Sequence, residues 1–198
     1  MKKWVISIFL IIVIAIIGFA TWSYFVSNVE QPSYKIISDD RSIEVREYPD
    51  LVVAEVFVEG KRKEAIKEGF RMLADYIFGN NESDTKIPMT APVMQEHVGQ
   101  DKWLIRFVMP SEYDLEKLPK VRNDKVMLKR LPACEYATIR FSGMSTDSNI
   151  NQHAQKLDDY FKTAEVAKGD RVIYAFYNPP WTLPFLRRNE IWYSINQK

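Results

Sequence analysis

Cysteine and histidine are nearly missing from this chain. One cysteine, Cys134, stands among 198 residues. That excludes an intrachain disulfide and any multi-cysteine zinc site. The two histidines, His97 and His153, are too far apart in sequence to form a metal-binding motif. Net charge is missing too. The 27 basic and 26 acidic side chains leave a formal charge of +1, so no strong electrostatic pull toward nucleic acid is expected. The chain contains no G-x-S-x-G, H-E-x-x-H, P-loop or G-x-G-x-x-G string. What is present is the composition of a folded protein, 46% apolar and 13% aromatic. Such a chain can bury a sizeable core, and its length admits one main domain plus an appendage. Cys134 falls on a predicted strand and reads as a small buried hydrophobe rather than a reactive thiol.

Charge is also absent from one whole segment. Residues 4–26 carry no ionisable side chain apart from Tyr24, and residues 5–19 are almost purely aliphatic. Such a run is long enough to span a bilayer core, which takes roughly 20 apolar residues. Lys2 and Lys3 precede it, and the next unambiguous cation is Lys35. This bias puts the N-terminus in the cytoplasm and the folded domain on the extracytoplasmic, periplasmic side of the cell membrane. Trp4, Trp22 and Tyr24 stand where interfacial aromatics would. Gly18-Phe19-Ala20 resembles a signal-peptide cleavage site, but the apolar run continues past it, which favours an uncleaved single-pass anchor over residues 1–26. Residues 27–33 (SNVEQPS) read as a linker, and residues 34–198 as the domain.

Within that domain the chain says the same thing twice. Residues 43–60 (IEVREYPDLVVAEVFVEG) lie over residues 126–143 (VMLKRLPACEYATIRFSG) without a gap, matching Pro49 to Pro132, Ala54 to Ala137 and Gly60 to Gly143. After a one-residue shift, Ile66, Phe70, Leu73 and Ile77 meet Ile150, Ala154, Leu157 and Phe161. Each copy reads strand, Pro-marked turn, alternating strand, glycine, helix. The repeats cover about 34–110 and 124–198, joined by a polar connector. Helices are predicted over residues 61–78 and 146–163, the second capped by Asp147 or Ser148. Strands are predicted over residues 34–37, 42–47, 86–97, 103–109, 171–177 and 190–195. In the strand after Pro49, Val52, Ala54, Val56 and Val58 point inward, and Glu55 and Glu59 outward as solvated carboxylates. Three prolines in residues 178–189 (NPPWTLPFLRRN) make that stretch an irregular loop. The fold class is α+β, a curved antiparallel sheet with two helices across it. A duplicated unit of this kind can close into a pseudo-symmetric half-barrel with a ligand groove.

Residues 86–93 (KIPMTAPV) resemble the signature of the SOUL heme-binding protein family. IEVREY at 43–48, AIKEGF at 65–70, YNPP at 177–180 and RNEIW at 188–192 follow in the family's order and spacing. The resemblance covers about residues 34–195. It implies a distorted antiparallel β-barrel with two helices and a pseudo-twofold tandem repeat, here preceded by one transmembrane helix. It also implies heme, or a related tetrapyrrole, as the ligand. In one branch the proposed axial ligand is a histidine on the domain's second strand, where this chain has Glu47. In another branch heme lies in an apolar groove beside the first helix and an arginine faces the propionates, where this chain has Lys67.

The candidate groove is therefore Ile66, Phe70 and Leu73, with Lys63, Lys67 and Arg71 recurring every four residues toward the propionates and Trp181 supplying a stacking surface. The competing reading of the cations is a solvated face on which Glu64 and Glu68 pair with Lys67 and Arg71. Gly69 is read as a site of close helix–sheet packing, and His153, at the matching place in the second helix, as partly exposed and unligated. His97 reads as a turn-edge residue, Met89 and Met94 as core. Trp181, Phe185 and Trp192 either stack on a ring or close the barrel end. The leading expectation is a non-catalytic binding protein for heme or another tetrapyrrole, with no metal site built from the protein alone. Its rivals are a binding module for another amphipathic small molecule, a small hydrolase using Glu190 inside the groove, and an interaction scaffold with a vestigial groove.

Overall fold

A computed structural model describes residues 29–40, 42–164 and 166–196, together with residues 4, 6–11, 13, 14 and 18. Most of the expected anchor, and part of the linker, lie outside the described residues. Among those that are described, no helix is long and apolar enough to cross a membrane.

Period-two alternation organises nearly everything else. The strands are β1 (Lys35–Asp40), β2 (Ile43–Tyr48), β3 (Leu51–Glu59), β4 (Val93–Gly99), β5 (Lys102–Val108), β6 (Met127–Leu131), β7 (Cys134–Phe141), β8 (Ala167–Phe176) and β9 (Asn189–Asn196). Helix α1 (Arg62–Ile77) follows β3, α2 (Asp147–Thr163) follows β7, and a short 3-10 turn (Pro184–Leu186) lies between β8 and β9. All nine strands join one antiparallel sheet in the order β1-β2-β7-β9-β8-β4-β5-β3-β6. Leaving β1 aside, this order reads the same from both ends when β2 exchanges with β6, β3 with β7, β4 with β8 and β5 with β9. The register obeys the same exchange: Glu44 opposes Thr138, and Met127 opposes Glu55. Each half therefore lends its first strand to the other half's second strand.

The expected barrel is corrected here. The sheet ends on β1 and β6, which do not pair with each other, so no hydrogen-bonded cylinder forms. It is nevertheless buried on both faces. One face packs under the helices: Val56, Ile105 and Phe107 meet Leu73 and Ile77 of α1, while Ala137, Ile139 and Ile191 meet Ile150 and Leu157 of α2. The other face gathers Tyr48, Val53, Met94, Val108, Tyr136, Ile173 and Trp192 into one cluster drawn from both halves of the sheet. Native twist lets the sheet curl around that cluster without closing.

Several boundaries move for local reasons. Residues 86–92 are not strand, and β4 begins only at Val93. Pro88 and Pro92 lack the N–H a ladder needs, and the segment is instead held by Thr90 Oγ1 donating to the Val108 carbonyl and Ala91 N–H donating to the Glu30 carbonyl. The cap of α2 is Thr146, whose hydroxyl accepts from the Asn149 N–H. Strand β8 starts four residues earlier than Arg171 and carries a register shift between Lys168 and Val172. Cys134 is half-buried rather than enclosed.

Candidate functional site: two related clefts and a caged carboxylate

The expected groove residues are split by the roll of α1. Its buried face is Ala65, Gly69, Leu73, Ala74, Tyr76 and Ile77. Leu73 is completely enclosed beneath the helix, so it cannot line an open groove. Ile66 is half-buried against the same core. Phe70 is 41% exposed, with its ring edge-on to Phe107 at 5.2 Å. Lys63, Lys67 and Arg71 are exposed along that outer flank. The structure thus brings Lys63, Lys67, Phe70 and Arg71 together on one surface and sends Leu73 inward. The reason is Gly69: a Cβ there would lie 2.6 Å from Ile105 Cγ1 and 3.2 Å from Val56 Cγ2. Helix and sheet meet over that glycine, which rolls Ile66 and Phe70 to the margin. Trp181 sits on a different element, the loop between β8 and β9, and is half exposed.

Two concavities lie elsewhere. The first has a volume of about 520 Å³ and is lined by Phe57, Val58, Glu59, Glu68, Met72, Lys102, Asp124, Lys125 and Met127. The second, about 790 Å³, is lined by Ser42, Glu44, Arg140, Phe141, Ser142, His153, Phe185, Leu186 and Arg187. They are counterparts under the internal repeat. Phe57, Val58 and Glu59 of β3 correspond to Arg140, Phe141 and Ser142, and Lys125 and Met127 correspond to Ser42 and Glu44. Each is the trough between a helix and the swapped first strand of the other half.

Their chemistry differs. In the first, Glu59, Glu68 and Asp124 outnumber Lys102 and Lys125. In the second, Arg140 and Arg187 face one carboxylate, Glu44, which already accepts from Arg46 Nε at 2.7 Å. Arg140 is exposed and has no salt bridge among the described residues. Arg187 donates to the Thr182 and Pro180 carbonyls of its own loop. That loop is pinned to the end of β7, where Gly143, at φ +99°, donates its N–H to the Pro184 carbonyl. The pin sets Phe185, 72% exposed, and Leu186 on the rim.

Glu190 is a correction to the hydrolase reading. It lies in neither cleft but is fully enclosed on the helix-free face of the sheet. Its carboxylate accepts from Arg46 at 2.8 Å, Arg188 at 2.7 Å, the Tyr177 hydroxyl at 2.9 Å and Trp192 Nε1 at 2.7 Å. Burial pushes the carboxyl upward, but Arg46, Arg188 and the indole N–H outweigh it and hold it below the ordinary glutamate value. A carboxylate so committed has no free lone pair directed at a substrate. Glu55, expected to be solvated, is likewise buried, between Arg106 at 2.8 Å and Lys129 at 2.8 Å. Alternation shows that Glu55 and Glu190 share the helix-free face, but it does not show that this face curls shut.

The family model for SOUL heme-binding proteins matches residues 29–194. The chain belongs to the SOUL heme-binding protein family. Within that family it is 26% identical to heme-binding protein 1 of Xenopus tropicalis over 180 residues, covering 85% of this chain and 94% of that protein. It is 28% identical to heme-binding protein 2 of Homo sapiens over 176 residues, covering 83% and 85% respectively. Among solved structures it resembles the EcmrR C-terminal domain, with a TM-score of 0.60, 11% identity and coverage of 83% of this chain and 99% of that one. It also resembles a hydrolase from Listeria innocua, with a TM-score of 0.58, 12% identity and coverage of 81% and 94%. At such low identity these two likenesses concern the fold alone. For a SOUL protein the expected cofactor is heme, and the second cleft suits it in kind: an aromatic wall, an apolar rim and two guanidinium groups for carboxylates. The position where one branch of the family carries a histidine is here Glu47, exposed and paired in register with Glu135.

Proposed function

We propose that this SOUL protein binds heme or a related tetrapyrrole without transforming it, and that the ligand seats in the second cleft. Family membership across residues 29–194 carries the reading. The cleft supports it, because its volume of about 790 Å³ lies within the roughly 300–1,000 Å³ usual for small-molecule sites. Arg140 and Arg187 supply the charge that propionates need, and Phe141, Phe185 and Leu186 supply apolar surface. A second surface on the same protein competes for the ligand: the outer flank of α1, where Lys63, Lys67 and Arg71 surround half-exposed Phe70 beside Ile66. It offers cations and a ring but no lining residue of either cleft. Another amphipathic small molecule is the alternative ligand, favoured by the absence of a histidine where this chain has Glu47.

The proposal extends to location. The uncharged run of residues 4–26 behind Lys2 and Lys3 supports a single-pass anchor with the domain on the extracytoplasmic side.

Hemin titrated into the full chain in detergent should give a saturable Soret change. The double variant Arg140→Ala/Arg187→Ala should weaken binding about tenfold, the loss of roughly 1.4 kcal/mol, while Lys67→Ala/Phe70→Ala leaves it intact. The reverse pattern would move the site to α1, and no saturable change in the wild type would refute the function.

A further inference from the structure

We infer that His153 is an axial ligand for heme iron in the second cleft. The inference rests on the tetrapyrrole reading and goes beyond it by naming the residue that holds the metal.

The hydrogen bonding of the imidazole suits ligation. His153 Nδ1 lies 2.8 Å from the Asn149 carbonyl one turn earlier in α2. A carbonyl only accepts, so Nδ1 carries the hydrogen, and in the neutral ring Nε2 is left with its lone pair. A backbone carbonyl on one nitrogen is the support that metal-binding imidazoles commonly have, because it selects the tautomer and orients the ring. Among the described residues Nε2 has no hydrogen-bond partner.

Its support is rigid. The Asn149 side chain donates to the Ser142 carbonyl at 3.1 Å and the Met144 carbonyl at 2.9 Å. The Asn149 N–H is capped by the Thr146 hydroxyl. The first turn of α2 is thereby tied to the end of β7, which also lines the cleft. The imidazole also stacks on Phe141, with centroids 4.3 Å apart and planes 11° apart. Stacking restricts rotation of the ring, and a ligand held in one orientation loses little freedom when a metal arrives.

The surroundings fit the same cofactor. His153, Arg140 and Arg187 line one cleft together with the exposed rim residues Phe185 and Leu186. An iron ligand, two partners for carboxylates and an apolar edge therefore share one concavity. The related cleft has no imidazole, and its acidic residues outnumber its basic ones. The residue matching His153 in α1 is Gly69, which is packed on Ile105.

Other candidates fail on position. His97 is exposed on β4 and leans on Trp103 at 4.8 Å, outside both clefts. Met94 is buried in the core and Met89 is half-buried against it. Glu47 lies outside both clefts.

The test uses the full chain in detergent, hemin as the probe, and absorbance with resonance Raman and EPR as readouts. The wild type should show a histidine-ligated signature on saturable binding. His153→Ala should lose that signature and bind at least tenfold more weakly. His153→Gln, which keeps a polar side chain, should lose it too. Added imidazole should restore it in His153→Gly, which a purely structural role would not allow. His97→Ala should match the wild type, and circular dichroism of each variant reports folding. A His153→Ala protein that keeps the wild-type spectrum and affinity overturns the ligation and leaves heme binding standing. A wild type that shows no saturable hemin binding overturns both.

Discussion

At the scale of single residues, the most consequential group is one the clefts do not use. Glu190 is fully buried, and its charge is balanced by Arg46 and Arg188. Removing one partner of a buried ion pair typically costs about 3–5 kcal/mol, because the other charge is left enclosed and unpaired. Glu190→Gln should therefore lower the stability of the domain by about that much at pH 7, read by urea unfolding. The same carboxylate makes stability depend on acid. Its folded value lies below the ordinary 4.5 of glutamate, so its contribution is complete above about pH 4.5 and drains away as the pH falls through the depressed folded value. Glu55, also held down, adds to the same acid limb. Glu190→Gln should flatten that limb in part, and an unchanged slope would show that the carboxyl titrates alike in the folded and unfolded chain. Tyr177 moves the opposite way, since burial and the adjacent Glu190 both push its hydroxyl well above the usual tyrosine value and keep it a neutral donor.

At the scale of elements, α1 and α2 show how one pattern serves two ends. Both helices cross the sheet at corresponding places, yet Gly69 admits Ile105 where His153 instead stacks on Phe141. Gly69→Ala should gain up to about 1 kcal/mol of helix propensity. It should lose about 1–3 kcal/mol to overpacking, because the atoms in the way are Ile105 Cγ1 and Cβ, close to the backbone and unable to swing aside. A net fall in thermal midpoint is expected, and Gly69→Leu should fall further. The periodicity of α1 was legible, but its roll was not. Sequence spacing put Ile66, Phe70, Leu73 and Ile77 on one stripe, whereas the observed buried face runs through Ala65, Gly69, Leu73, Ala74, Tyr76 and Ile77. A hydrophobic stripe weights large side chains and gives a glycine none, yet here the glycine is the point of closest approach.

At the scale of the whole molecule, the exchange of first strands between the halves creates two troughs at corresponding places, and differences in their linings give them opposite charge. The second alone joins cations, aromatic surface and an imidazole. Tethering belongs to this scale as well. If residues 1–26 anchor the domain outside the cytoplasm, the full chain should stay in carbonate-washed membranes and its domain should be cut by protease added to spheroplasts. Deletion of residues 1–26 should release it from the membrane fraction. Protection of the domain in intact spheroplasts would reverse the orientation.

The sequence alone determined the repeat, the antiparallel α+β class and the family, because alternation, turn-marking prolines and glycines and a signature string are local properties of the chain. It also located Gly69 and His153 at matching places in the two helices. Only the tertiary structure decided which residues share a cleft. The pairing of β2 with β7 and of β6 with β3 brings Glu44 to Arg140 and Met127 to Glu55 across long stretches of chain. The curl of the sheet then turns Glu55 and Glu190, polar positions on alternating strands, into buried ion pairs. Those outcomes depend on which strand neighbours which and on which way a face bends, and neither is written in the periodicity of any one segment.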